Sequence, residues 1–117
     1  MRPVTPTAGS VLAGFGAYLA TAEITPPTAP DVLVASVHTT AKPAFARQLA
    51  GLDADVIRRP SVDVPWMNDV AHFGYQPLVA GRRFIIGGDW NTSLLFDADG
   101  TTAGREFYDR AERDGWI

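Results

Sequence analysis

Two short apolar runs that lie far apart in the chain constrain the fold more than any other feature. Residues 32–37 (VLVASV) and residues 83–88 (RFIIGG) have the length of a strand and carry β-branched or large apolar side chains. About 45 residues separate them, which is too long for a hairpin and typical of a crossover between parallel strands. We therefore predict a βαβ unit whose two strands are buried, the first of them covered on both faces.

The segment between the two strands contains one clear helical pattern. Residues 65–80 place apolar side chains at helical spacing, Pro65 suits a first helical turn, and Asp63 is a candidate N-cap. We expect Pro77 to kink or restart this helix and Gly81 to end it. A helix of this length spans roughly 24 Å and can run back along the sheet.

The flanking segments complete an α/β fold with a mixed sheet, a βαβ crossover and a C-terminal helix. Residues 16–24 are predicted to form a strand antiparallel to the one at 32–38, because the prolines between them make a short turn. Residues 43–52 are a candidate short helix, and residues 53–64 are predicted to be an irregular connection. A last helix is expected over residues 103–114, capped by Thr102, with Gly115 as its stop and Trp116 packing back. The side chains that this helix should bury are Phe107 and Ala111.

Composition excludes several classes of protein. The chain has 117 residues, 46% of them hydrophobic, and a net charge of −3, so it is neither disordered throughout nor covered by a broad basic surface for nucleic acid. It has no cysteine, which removes disulfides and thiolate chemistry. No apolar run reaches the roughly 18 residues that a membrane span needs.

The first residues allow two interpretations. Residues 1–22 combine a basic residue, an apolar run and an Ala-Thr-Ala pattern, as a secretory signal does. Alternatively, residues 1–15 form an extended or disordered segment ahead of the strand at 16–24. The single basic charge and the glycines in the run favour the second interpretation. We therefore expect a cytoplasmic protein, with secretion as the alternative if residues 1–22 act as a signal.

Polar side chains follow both central strands. His38 closes the first, and Asp89 and Asn91 close the second. The carboxyl ends of parallel strands meet at one edge of a sheet, where sites are usually built, so we expect these three groups to lie together. In an extended segment Asp89 and Asn91 would face the same way, with Trp90 opposite, and the two preceding glycines would let a substrate or backbone approach. A carboxylate, a carboxamide and an imidazole are suited to phosphoester hydrolysis.

Plainer interpretations stand beside this one. Glycine, aspartate and asparagine are common turn formers, and His38 alone fits an ordinary strand end. His72 is assigned no role and is expected to be structural or exposed. The pairs Arg58-Arg59 and Arg82-Arg83 are expected to be solvated surface. Asp97 and Asp99 hint at Ca²⁺ ligands, but no glutamate closes a calcium loop, so a plain turn is favoured.

The segment RFIIGGDWNT resembles the GD(F/W)N motif of the endonuclease/exonuclease/phosphatase superfamily, which has the DNase I-like fold. The segment SVHT resembles the superfamily's earlier histidine strand, and REFYDRAERDGWI resembles the helix after the motif. The resemblance covers residues 16–117, which are therefore expected to be part of a DNase I-like α/β sandwich.

The resemblance implies a metal-dependent phosphoesterase. By that likeness His38, Asp89 and Asn91 are catalytic, His38 and Asn91 bind phosphate, and Asp89 is a candidate metal ligand. The implied cofactor is Mg²⁺, with Mn²⁺ or Ca²⁺ as substitutes, and the implied partner is a phosphate-ester substrate, nucleic acid included.

The chain also departs from the superfamily. No glutamate stands in the context of the superfamily's metal ligand, and its C-terminal Ser-Asp-His is missing. We therefore expect an interior part of the domain, with weak metal binding and little or no activity alone. The alternative is a noncatalytic α/β module that pairs with another chain or self-associates through exposed strand edges.

Overall fold

A computed structural model describes residues 1–5, 11–49, 51–98 and 100–116. These form a small α/β fold built on a four-stranded mixed sheet in the order β1-β2-β3-β4. β2 pairs antiparallel with β1 and with β3, and β3 pairs parallel with β4. The predicted antiparallel pairing of β2 with β3 and the predicted parallel pairing of β3 with β4 are both confirmed. The strands are β1 Arg2–Pro3, β2 Leu19–Ile24, β3 Val32–His38 and β4 Arg83–Asp89.

Six short or medium helices accompany the sheet in the described residues. The predicted crossover helix is α3, and the predicted C-terminal helix is α4, which buries Phe107 and Ala111 as expected. No described helix has both the length and the apolar character to cross a membrane. The helices are a 3-10 helix at Val11–Phe15, α1 Ala46–Leu49, α2 Ala54–Ile57, α3 Met67–Val79, a second 3-10 helix at Leu94–Asp97, and α4 Ala103–Arg113.

The start of the chain is more ordered than predicted. The strand expected over residues 16–24 begins only at Leu19, and the first 3-10 helix precedes it. The large side chains of that helix, Leu12 and Phe15, are buried in the core. An extended segment over residues 1–15 is therefore wrong for Val11–Phe15, because burial of two apolar side chains stabilises a local helix. Residues 6–10 lie outside the described part.

The core lies between the sheet and the helices on one of its sides. Two clusters of buried apolar side chains make it up, and Leu19 packs against both. Tyr75 of α3 is fully buried, and its hydroxyl forms a 2.9 Å hydrogen bond with Thr21 Oγ1 of β2. α3 is therefore held against the sheet by polar as well as apolar contacts. The clusters are Phe15, Ile57, Met67 and Val70, and Leu12, Val37 and Tyr75.

The ends of α3 differ from the predicted ones. Asp63 does not cap it; the Trp66 backbone N–H donates instead to Asp69 Oδ2 at 3.0 Å, one turn into the helix. α3 passes through Pro77 and ends at Val79, since one missing N–H does not stop a helix that is packed on a core. Gly81 follows at φ 67°, a left-handed position that glycine occupies without steric cost.

Two more local predictions are corrected before and after the last strand. Residues 53–64 are not entirely irregular, because α2 lies within them and Asp53 Oδ1 accepts from the Asp55 N–H at 2.9 Å. Thr102 makes no capping hydrogen bond to α4. The Asp97 carboxylate accepts from the Gly104 and Arg105 N–H groups, both at 2.8 Å, and these bonds lower its pKa despite partial desolvation. The Asp97 turn therefore serves as a helix cap, and Asp99 lies outside the described residues.

One face of the sheet is not covered by any described residue, and we call it the open face. β3 and β4 alternate between side chains packed on α3 and side chains directed away from it. The prediction of coverage on both faces is therefore wrong, since the described helices all lie on one side. β4 is mostly exposed rather than buried, and Ile85 is 66% exposed. The open face consists of Pro3, Ala20, Ala22, Ile24, Val32, Val34, Ser36, His38, Arg83, Ile85, Gly87 and Asp89.

Candidate functional site

The carboxyl ends of β3 and β4 bring two of the three candidate residues directly opposite each other. His38 and Asp89 are register partners in the parallel pair, and both are exposed. The Thr39 N–H donates to the Asp89 carbonyl at 2.9 Å, so the ladder continues one residue past His38. An imidazole and a carboxylate thus stand on adjacent strands at one rim, as expected of a βαβ unit.

Asn91 lies at the same rim, but in a backbone conformation that the sequence did not predict. It is not extended: its φ is 47°, and its N–H donates to Asp89 Oδ1 at 2.9 Å. Its side-chain Nδ2 donates to the Thr39 carbonyl at the end of β3. The expectation that Asp89 and Asn91 share a face of an extended strand is wrong, because the Asp89 side chain bends the chain into an Asx turn. The carboxamide consequently ties the end of β4 to the end of β3.

The hydrogen bonds of Asp89 and Asn91 leave one oxygen of each side chain without a partner among the described residues. Asp89 uses Oδ1 on the turn, and no described residue donates to its Oδ2. Asn91 uses its amide nitrogen on Thr39, and its Oδ1 likewise has no donor among the described residues. One carboxylate oxygen, one amide oxygen and an exposed imidazole are therefore free to meet a ligand.

Thr39 and Trp90 hold the two strand ends in place. Thr39 is fully buried and its Oγ1 donates to the Trp90 carbonyl at 2.7 Å. The partly buried Trp90 ring packs against the core, with ring-centroid distances of 5.7 Å to Phe107 and 5.9 Å to Trp116. Thr39 was not among the predicted site residues, although a threonine directly after a strand-end histidine often forms local hydrogen bonds to the backbone.

The two glycines before Asp89 have different roles. Gly88 has φ 132°, and a Cβ there would lie 2.0 Å from the Val37 carbonyl oxygen, so glycine is required for the close approach of β4 to β3. Gly87 has no atom within 4 Å of a Cβ position and lies on the open face. The close approach of the two backbones therefore explains why position 88 is glycine, whereas the space left by a missing side chain is found only at Gly87.

A cavity of about 260 Å³ adjoins the rim on the side of Asn91 and Thr92. Its other wall includes Arg59 and Trp66, which gives it a cationic and an aromatic lining group. Arg59, however, is neither free nor solvated as expected. It is only 3% exposed, and its Nε and Nη1 already donate to the Asp69 carboxylate at 3.1 Å and to the Ala103 carbonyl at 2.7 Å. The cavity is consequently a weaker candidate for phosphate than the rim itself.

The second histidine does not join the rim. His72 is 2% exposed on α3, with its ring 4.4 Å from that of Trp116 and 5.9 Å from that of Phe107. Desolvation lowers its pKa to about 4, against the opposing charge of Asp114. His72 is therefore a neutral core histidine, in keeping with the structural half of its prediction.

The donors at the rim are few for a divalent cation. Among the residues that the structure describes, no cluster of three or more His, Cys, Asp or Glu side chains is suited to hold a metal ion. Mg²⁺ prefers six oxygen ligands, often from one or two carboxylates together with water and substrate phosphate. Asp89 and Asn91 supply two such oxygens at the rim.

Comparisons with known proteins add no family to this geometry. No family model matches the chain, and no curated protein or solved structure matches it either. The rim at the ends of β3 and β4 is therefore the feature of the chain that bears on its function.

Proposed function

We propose that this chain belongs to a metal-dependent phosphoesterase and that the rim of His38, Asp89 and Asn91 is its phosphate site. The observation that carries the proposal is the register of β3 and β4, which places His38 opposite Asp89, with Asn91 hydrogen-bonded to both strand ends. The DNase I-like sandwich and the superfamily membership are parts of this proposal. They are supported by the mixed α/β sheet and by the GDWN motif at the end of β4.

Each side chain has a definite task in hydrolysis. The free Asp89 oxygen orients a water and accepts its proton as the water oxygen attacks phosphorus. Asn91 accepts a hydrogen bond from that water at its free Oδ1, and the second hydrogen of its Nδ2, the first being donated to the Thr39 carbonyl, is available to a phosphoryl oxygen. The bond from phosphorus to the leaving oxygen breaks, and a protonated His38 supplies the proton that this oxygen needs. The products are a phosphate group carrying the water oxygen and an alcohol.

The proposed cofactor is Mg²⁺, or Mn²⁺ or Ca²⁺ in its place, with Asp89 as the protein carboxylate. A bound cation would offset charge on the phosphoryl oxygens. Because the rim supplies few ligands, the ion is expected to bind weakly without a phosphate ester. The proposed substrate class is a phosphate ester, nucleic acid included.

Paramagnetic Mn²⁺ provides a test that does not depend on turnover. Titrating the chain with Mn²⁺ and inorganic phosphate should broaden the backbone NMR signals of His38, Asp89 and Asn91 first. Asp89→Asn should abolish this selective broadening, whereas Asp109→Asn, at an exposed site on α4, should leave it intact. Broadening elsewhere, or broadening at the rim that survives Asp89→Asn, would contradict the proposed site.

Hydrolysis of a generic phosphodiester in the presence of Mg²⁺ tests the second part of the proposal. We expect turnover close to background, since so few metal donors are present at the rim. Robust turnover that Asp89→Ala abolishes would support the catalytic roles and overturn the expected weakness of the isolated chain. Robust turnover that persists in Asp89→Ala would exclude this rim as its source.

A noncatalytic role is the second candidate, and the open face favours it. Apolar and small side chains line three neighbouring strands there without cover from any described residue. Contiguous apolar surface of this kind is characteristic of interaction sites. In this role the chain would be an α/β module that pairs with another chain.

A further inference from the structure

We propose that the open face binds a second copy of this chain, with the two sheets packed face to face and their strands antiparallel. This inference deepens the noncatalytic role and does not depend on the phosphoesterase proposal. The two-fold axis would lie in the interface, perpendicular to the strands, and would pass over the midpoint of β4. Three independent properties of the open face support this arrangement.

The first property is the distribution of charge along β4. Arg83 stands at one end of the strand on the open face, and Asp89 stands six residues away, roughly 20 Å, at the other end. Within the described residues, the Arg83 side chain makes only a 3.5 Å hydrogen bond to the Pro30 carbonyl, and the Asp89 carboxylate accepts only from the Asn91 N–H. The proposed axis places Arg83 of each copy over Asp89 of the other. The long arginine side chain accommodates the roughly 30° angle at which aligned sheets pack.

The second property is the alternation of large and small side chains between the ends. The same axis places Ile85, which is 66% exposed, over Gly87 of the second copy, where no side chain fills the space. On β3 it places Val34 over Ser36. Ile85 and Val34 therefore each meet a smaller side chain, as interdigitating sheet faces require.

The third property is the size of the face. Two strands of seven residues, one of six and one of two, at about 3.3 Å per residue and about 4.8 Å between strands, give a face of roughly 350 Å² per copy. Stable complexes bury at least about 1,200 Å² in total, so this face suits a weak association that depends on concentration. His38 and Asp89 lie within it, and the dimer would therefore cover the rim.

Sedimentation equilibrium of the full chain from about 10 µM to 1 mM, at low and at high salt, tests the proposal. We expect a monomer–dimer equilibrium that weakens as salt rises, because the Arg83–Asp89 pairs are screened. Ile85→Glu should abolish the dimer. Val56→Glu, at an equally exposed apolar side chain on α2, should leave it unchanged. A monomer at every concentration would overturn the proposal.

Gly87→Val separates the proposed packing from unspecific apolar contact. A valine fits at position 87 in the monomer, where no atom lies within 4 Å of its Cβ position, but in the dimer it would meet Ile85. We expect the dimer dissociation constant to rise about tenfold, and Ile85→Ala combined with Gly87→Val to restore it. If Gly87→Val strengthens association, the two-fold packing is wrong. If Ile85→Glu has no effect, the copies pair through strand edges and the inference fails.

These outcomes are independent of catalysis. Association is measured without metal or phosphate ester, and because the dimer would cover the rim, rim binding is measured on dilute, monomeric protein. A dimer at high concentration together with no rim binding in the monomer would leave the inference intact while removing the phosphoesterase proposal. Circular dichroism of each variant establishes that it is folded, so that loss of the dimer is not mistaken for loss of structure.

Discussion

The two faces of the same sheet differ sharply in what they bury. On the side of α3, Leu33 of β3 is fully buried, and Val37 is 2% exposed. On the open face Val34 lies between them in sequence and is only half-buried, and Ile85 on β4 is 66% exposed. Strand alternation assigns side chains to two faces, but the helices decide which face becomes core. Stability should therefore reside on one face and association on the other.

The largest expected effect comes from the ionic cluster behind the covered face. Asp69 is fully buried, with Arg59 Nε at 3.1 Å and Arg110 Nη1 at 3.4 Å from its carboxylate. Asp69→Ala leaves two guanidinium groups without their anion, and we expect it to lower the free energy of unfolding by about 3–5 kcal/mol. Urea denaturation measures this. Asp109→Ala, at an exposed carboxylate, should change it by less than about 0.5 kcal/mol.

Leu33→Ala compared with Ile85→Ala measures the contrast between the two faces directly. Removing the fully buried Leu33 side chain should cost about 3 kcal/mol, because it leaves a cavity in the core. Ile85→Ala should cost less than about 1 kcal/mol in dilute solution, where the open face meets water. Equal costs in urea denaturation of the two variants would mean that the open face is covered in the monomer.

Acidification should weaken the covered side through His72. Its pKa is lowered to about 4 by burial, so between pH 6.5 and pH 4 the unfolded chain binds a proton that the folded chain excludes. Stability is therefore lost as the pH falls through this window, by about 2 kcal/mol between pH 7 and pH 5. The difference in this slope between the natural chain and His72→Gln isolates the contribution of His72 from those of the carboxylates. An unchanged slope would show that the pKa of His72 is the same in the folded and the unfolded chain, so that burial does not lower it.

The smallest effect is expected at Gly87 on the open face. Gly87→Ala should raise the free energy of unfolding by about 0.5 kcal/mol, since a Cβ there meets no atom and glycine is costly within a strand. Thermal denaturation at low protein concentration measures this without interference from association. A marked loss of stability would indicate that something packs against this position in the monomer.

The features that the sequence predicted well follow from patterns that can be read along the chain. The strand at Val32–His38, the parallel pairing with β4 and the burial of Phe107 follow from apolar patterning and from the length of the crossover. The left-handed turn at Asn91 and the Asp97 cap on α4 were missed because each depends on which backbone N–H groups a side chain reaches. Arg59 was missed for a related reason: its burial requires Asp69, ten residues along the chain, on another element.

The sequence by itself determined which residues close the two parallel strands, since a long crossover between apolar runs brings their carboxyl ends to one edge. Only the tertiary structure decided that Asn91 binds back to Thr39 and that helices cover a single face of the sheet. The alternation of side chains along a strand defines two faces but does not say which of them is covered. Which face is covered depends on where helices distant in sequence pack, and no local sequence pattern specifies that.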